Sequence, residues 1–151
     1  MVLSEKLRNY IVSPAGILIG TRDAALKPEF QRAMGARPAE DHHIQFFFDL
    51  KTSGRTIDNI QDNQSVSIVL CHLLTMESFQ FKGRSIGYRE CSPEELNFVD
   101  EYYKKFNEAA IQFGMKDGLC YNYPHSQMWS MLMEVEEVFE QTPKIGTGQK
   151  V

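Results

Sequence analysis

Thr52-Ser53-Gly54-Arg55-Thr56-Ile57-Asp58-Asn59-Ile60-Gln61-Asp62-Asn63, followed by Val66-Ser67-Ile68-Val69-Leu70-Cys71, is the stretch that decides the fold. It reads as a polar, glycine-containing loop, a short helix and a buried strand. The loop brings main-chain N–H groups, hydroxyls and the Arg55 guanidinium to a helix N-terminus, where unpaired donors and the helix dipole favour an anion. A phosphate is the natural guest. Ordinary capping of the helix by Ser53 or Thr52 is the competing reading, and spacing alone leaves both open.

Upstream, Ser4 is placed to cap a short helix running to about Tyr10, which Pro14 ends. Residues 15–21 read as a strand, 22–25 as a turn, and 28–36 as a second strand with Pro28 at its start, where a missing N–H is tolerated. The pair predicts a hairpin. Residues 37–41 form a polar connection. Residues 44–49 form a third strand whose successive Phe46, Phe47 and Phe48 require burial on both faces.

Downstream, residues 65–72 and 77–88 are the fourth and fifth strands, with Gly83 and Gly87 marking bulges or close approaches. Ser92-Pro93-Glu94-Glu95 is a capping box with proline at the first helical position. The helix it opens carries an apolar stripe through Leu96, Val99, Tyr103, Phe106, Ala110 and Phe113, and Gly114 ends it. Residues 118–127 read as a loop. Residues 128–139 form a last strand whose alternation breaks at Glu136-Glu137. Six strands in hairpin-like succession, with helices set apart, define an α+β fold, most economically a small antiparallel barrel with peripheral helices.

Composition narrows the function. The 151 residues carry a net charge of −4, with 42% hydrophobic and 24% charged residues. No concentrated basic face is present, which argues against nucleic acid. No apolar run is long enough to span a bilayer, and residues 1–10 lack a signal-peptide core, so a cytoplasmic location without a membrane partner is expected. Cys71, Cys91 and Cys120 are odd in number and widely spaced, as expected of reduced thiols. His42-His43, His72 and His125 invite a metal or haem reading, but neighbours in a strand point to opposite faces and no cluster has metal-ligand spacing. No metal is therefore expected. GxSxG and HExxH patterns are absent, so hydrolytic chemistry lacks support. Met128, Met131 and Met133 read as core or interface filling.

The order of short motifs resembles the pyridoxamine 5′-phosphate oxidase-like FMN-binding split-barrel family. The matching pieces are Ile19-Gly20-Thr21-Arg22-Asp23, Lys27-Pro28-Glu29, Ser53-Gly54-Arg55-Thr56, Asn59-Ile60-Gln61-Asp62-Asn63, Gln80-Phe81-Lys82-Gly83-Arg84 and Val138-Phe139-Glu140-Gln141-Thr142-Pro143. The resemblance implies an FMN-binding split barrel over residues 1–143, with 144–151 a mobile tail. It further implies a homodimer holding FMN in clefts between subunits, with the phosphate near Ser53, Arg55 and Thr56. Gly54 stands where the family often has serine and Thr56 where it has lysine, so one positive charge is missing; Lys51 is a candidate replacement. Gln80 and Lys82 share a strand face and are the candidates for the polar edge of the isoalloxazine ring. Trp129 and Tyr123 are candidates to cover the ring, against the alternative of core or interface packing.

The family oxidase's C-terminal substrate segment has no counterpart, so that particular activity is not expected. A flavin-dependent oxidoreductase working with a small substrate or reductant is the leading functional reading, with no assignable acid or base. A flavin- or phosphate-binding module without turnover, and a split-barrel dimer without flavin, are the alternatives.

Overall fold

The computed structural model describes residues 2–116 and 126–151. Helix α1 (Glu5–Ile11) leads into strands β1 (Ala15–Arg22), β2 (Pro28–Ala33), β3 (Gly35–Pro38) and β4 (His43–Asp49). A 3₁₀ turn (Leu50–Thr52) and helix α2 (Thr56–Asn63) follow, then β5 (Ser65–His72), β6 (Ser78–Glu90), helix α3 (Pro93–Gln112) and β7 (Met128–Glu140). Among the described residues all strand pairs are antiparallel, and one seven-stranded sheet runs in the order β2-β1-β5-β6-β7-β4-β3. The α+β split barrel expected from the sequence is present.

The closure of the barrel rests on one residue. Residues 28–36 do not form one strand: they divide at Met34 into β2 and β3, which lie on opposite edges of the sheet. A two-residue step spans at most about 7 Å, so the two edges must approach and the sheet must curl. Met34 is buried and donates its N–H to the Phe47 carbonyl at 2.7 Å, which fixes the crossing point. The sequence shows six strands rather than seven because the division leaves hydrophobic alternation unmarked.

The inward faces of the strands enclose the main core, including Ile17, Ile19, Phe46, Ile68, Phe81, Met131, Met133 and Val138. Phe46 and Phe48 face this core, whereas Phe47 turns outward into a second cluster with Met34, Val99 and Met128. All three phenylalanines are fully buried, as a strand covered on both faces requires. Leu7 and Tyr10 of α1 pack onto the main core, and the Tyr10 hydroxyl bonds to the Leu70 and Glu77 carbonyls at 2.9 and 2.6 Å.

Helix α3 begins at the expected capping box, with Ser92 and Glu95 bonding reciprocally. Its buried face is rotated from the expected stripe. Glu95, Val99, Tyr102, Phe106, Ala109 and Ala110 are buried, while Leu96 and Phe113 are exposed. Tyr102 sets this rotation: its hydroxyl donates to the Ser13 carbonyl at 2.9 Å and accepts from the Ala15 N–H at 3.2 Å.

Both glycines singled out in β6 sit at register shifts against β7, between Lys82 and Gly83 and between Ser85 and Gly87. The first shift skips Glu136, where the alternation of β7 breaks. Residues 144–151 fold back along β7, with main-chain bonds linking Glu140 to Gln149 and Gly148, and Val151 to Val138.

Candidate functional site

On the outer face of the sheet, β1, β5 and β6 form the floor of a cavity of about 550 Å³. This is the size range of small-molecule and cofactor sites. Strand alternation builds it. Leu18, Gly20 and Arg22 project from β1, Ser65, Ser67 and Val69 from β5, and Gln80 and Lys82 from β6. Phe30 on β2 and Glu136 at the β7 bulge complete the rim. Gly20 keeps the floor open, since a Cβ there would lie 3.2 Å from the Phe30 ring. Leu18 and Phe30 are 52% and 69% exposed, an unusual apolar surface for two strand residues.

Polar groups are fixed within this apolar setting. The Gln80 amide donates to Ser67 Oγ at 3.0 Å and accepts from the Gln141 amide at 3.2 Å. Those two bonds leave it further donor and acceptor capacity. The Lys82 ammonium lies 4.7 Å from the centre of the Phe139 ring, a cation–π contact that orients it. Arg22 adds a second cation, and Glu136 is paired with Arg84 at 3.1 Å. The arrangement presents an apolar bed, an amide edge and two positive groups.

The other residues expected at a phosphate site lie around the N-terminus of α2. Arg55 is itself the residue preceding the helix, and no side chain caps it. Its guanidinium pairs with Asp23 at 3.0 Å. The Lys27 N–H, and then Arg55, hold the Asp23 carboxyl below its ordinary pKa. The pair borders a separate shallow pocket of about 390 Å³ that Asp58 and Asp62 also line. Ser53 is buried and its hydroxyl donates to the Leu50 carbonyl at 2.7 Å. Thr56 is fully buried, with Oγ1 lacking a hydrogen-bond partner. Lys51 is exposed. Thus Gln80 and Lys82 share the outer cavity, whereas Arg55 lines the neighbouring pocket and the Ser53 and Thr56 hydroxyls are enclosed.

Leu18, Phe30, Ser67 and Arg22 were not singled out by sequence reasoning. The available signal was alternation: Leu18 in β1 and Phe30 in β2 are apolar at positions opposite the core residues, where solvent would favour polar ones. Trp129 packs on Tyr88 with ring centres 5.8 Å apart, and Met128, Met131 and Met133 are buried. Cys71 and Cys91 are free thiols, and burial pushes Cys91 up to about 11. Cys120, Tyr123 and His125 lie outside the described residues. Among the described residues no helix is long and apolar enough to cross a membrane.

No family model matches the sequence, and no curated protein matches it. Solved structures do match. HupZ from Group A Streptococcus is 18% identical with a TM-score of 0.58, covering 97% of this chain and 99% of that one. A protein described as a putative pyridoxamine 5′-phosphate oxidase, from Lactobacillus delbrueckii, is 14% identical at 0.57, covering 91% and 93%. A pyridoxamine 5′-phosphate oxidase-related, FMN-binding protein from Nostoc punctiforme is 14% identical at 0.53, covering 99% and 91%. Identities this low establish architecture: the chain has the pyridoxamine 5′-phosphate oxidase-like split-barrel fold that its motifs resemble.

Proposed function

We propose that the chain binds FMN in the outer-face cavity and acts, as a homodimer, as a flavin-dependent oxidoreductase on a small molecule. The observation that carries this reading is the joining of an apolar bed, the Gln80 amide edge and the Lys82 and Arg22 cations in one cavity of about 550 Å³. Size, apolar lining and charge all suit a nucleotide with an aromatic head and an anionic tail. The bound flavin supplies electron transfer with a reductant such as a reduced nicotinamide. Gln80 would meet polar atoms at the ring edge, and Leu18 and Val69 its apolar face. The exposure of Leu18 and Phe30 supports a second copy covering the same face and excluding water.

Two places compete for the phosphate. Lys82 and Arg22 offer positive charge inside the cavity. Arg55, with Ser53, Thr56 and Lys51 nearby in sequence, offers the start of α2, where Asp23, Asp58 and Asp62 around the pocket oppose an anion. The charge balance favours Lys82. Charge-assisted bonds contribute about 1.5–3 kcal/mol, so removing the group that holds the phosphate weakens binding by about one to two decades.

Titration with FMN, followed by flavin fluorescence, should show saturable binding that Lys82→Ala weakens by that factor and Arg55→Ala changes little. The reverse order moves the phosphate to α2. Absence of binding to the wild-type protein overturns the flavin reading and leaves a split barrel without flavin. A binding module without turnover is the second reading, favoured because Glu136, the one carboxylate lining the cavity among the described residues, is paired with Arg84. Anaerobic bleaching of bound flavin by a reduced nicotinamide separates the two: bleaching supports the enzyme, and its absence the module.

A further inference from the structure

The turn before β4 brings together three side chains that the flavin reading does not use. His42 closes this turn and His43 opens the strand. Strand alternation, which would send adjacent histidines to opposite faces, does not apply across that boundary. Their rings lie together, centres 4.3 Å apart and planes tilted by 32°. Glu134 of β7 is the register partner of His43, and its Oε1 lies 3.3 Å from His42 Nε2. One ligand atom from each of the three lies within 4.8 Å of both others.

The main chain beneath the cluster is well tied. The His42 carbonyl accepts from the Val135 N–H at 2.9 Å, the His43 N–H donates to Glu40 at 2.9 Å, and its carbonyl accepts from Ala39 at 2.9 Å. Arg84, the register partner of Glu134 on the β6 side, is drawn to Glu136. All three side chains are half-buried, so solvent reaches the cluster.

We propose that His42, His43 and Glu134 form a binding site for a divalent transition-metal ion of the zinc type. A histidine–carboxylate contact needs one imidazole, and the second ring stacked beside the first is not required for it. A metal ion uses all three groups. Tetrahedral coordination with bonds of about 2.1 Å puts ligand atoms roughly 3.4 Å apart, which small side-chain rotations achieve from the observed spacing. Two imidazoles and one carboxylate favour zinc, copper or nickel over magnesium or calcium. Three protein ligands on a solvent-reached surface leave a coordination position for water.

The test uses chelator-stripped full-length protein without FMN, titrated with zinc chloride by calorimetry and with cobalt(II) by visible absorption. One equivalent should bind, with the cobalt spectrum of a four-coordinate site. His43→Ala and Glu134→Gln should each weaken zinc binding at least about tenfold, since even loss of an outer-shell partner costs that much. His72→Ala should leave it unchanged. Metal-free melting curves identify variants that fail to fold, and His42→Gln, altered in the turn rather than the strand, provides a further ligand deletion. The proposal is overturned if the wild-type protein takes up no zinc at millimolar metal, or if folded His42 and His43 variants bind as the wild type does.

Discussion

Glu95→Gln is expected to destabilise the protein by about 3 kcal/mol, the low end of the cost of breaking a buried ion pair. Glu95 is 2% exposed. It takes two bonds of 2.8 Å from the Arg89 guanidinium, one of 2.6 Å from Gln45 and one of 2.8 Å from the Ser92 N–H. These partners come from β6, β4 and the cap of α3, so one carboxylate ties the helix start to two strands. An amide in its place offers donors to donors. Arg89→Ala takes away two of these bonds but leaves the carboxylate with Gln45, the Ser92 N–H and the Arg37 guanidinium 3.7 Å away, so it should cost less, about 2 kcal/mol. Chemical denaturation of the two variants checks the order, and equal small losses would refute this account.

The same site makes a pH prediction. The Arg89 bonds lead in holding the Glu95 carboxyl down at about 2, from an ordinary value of 4.5. Below the ordinary value the unfolded chain takes up a proton that the folded chain refuses. The contribution of Glu95 is therefore complete above about pH 4.5 and is lost as pH falls toward 2. Acid titration of stability should be steeper for the wild type than for Glu95→Gln across that window.

The second large effect is expected at Gly83. A Cβ there would lie 1.9 Å from the Glu134 carbonyl oxygen. The obstacle is main chain, so no side-chain rotation relieves it, and β6 and β7 must separate at their bulge. Overpacking of this kind costs about 1–3 kcal/mol, more where backbone must move, and we expect Gly83→Ala to lose about 3 kcal/mol. Gly87, with nothing within 4 Å of its Cβ position, provides the control: Gly87→Ala should be nearly neutral. Melting curves of the two variants decide this, and similar curves would remove the steric explanation. Lys82 and Glu136 flank the bulge and line the cavity, so loosening at Gly83 should also weaken FMN binding.

Local physics makes much of the architecture legible in the residues alone. The capping box at Ser92, the existence of the strand at 65–72, one face buried and one lining the cavity, and the burial of Phe46, Phe47 and Phe48 depend on short-range rules of capping and alternation. The break at Met34 leaves no local mark, because it is decided by the Phe47 carbonyl that Met34 bonds. The rotation of α3 likewise follows from what Tyr102 meets at Ser13 and Ala15. Gln80 and Lys82 are legible as a pair because neighbours two apart on a strand share a face. The surroundings of Arg55 are not, because Asp23 reaches it from a distant turn.

By itself, then, the order of residues determined the kinds of element, most of their boundaries and the outward face of β6. Only the folded chain decided which edges meet, which cations line the cavity and that His42 and His43 lie together opposite Glu134. The physical reason is range. Backbone preference and hydrophobic period act over a few residues, whereas a cavity or a ligand cluster is made by strands whose pairing no local pattern specifies.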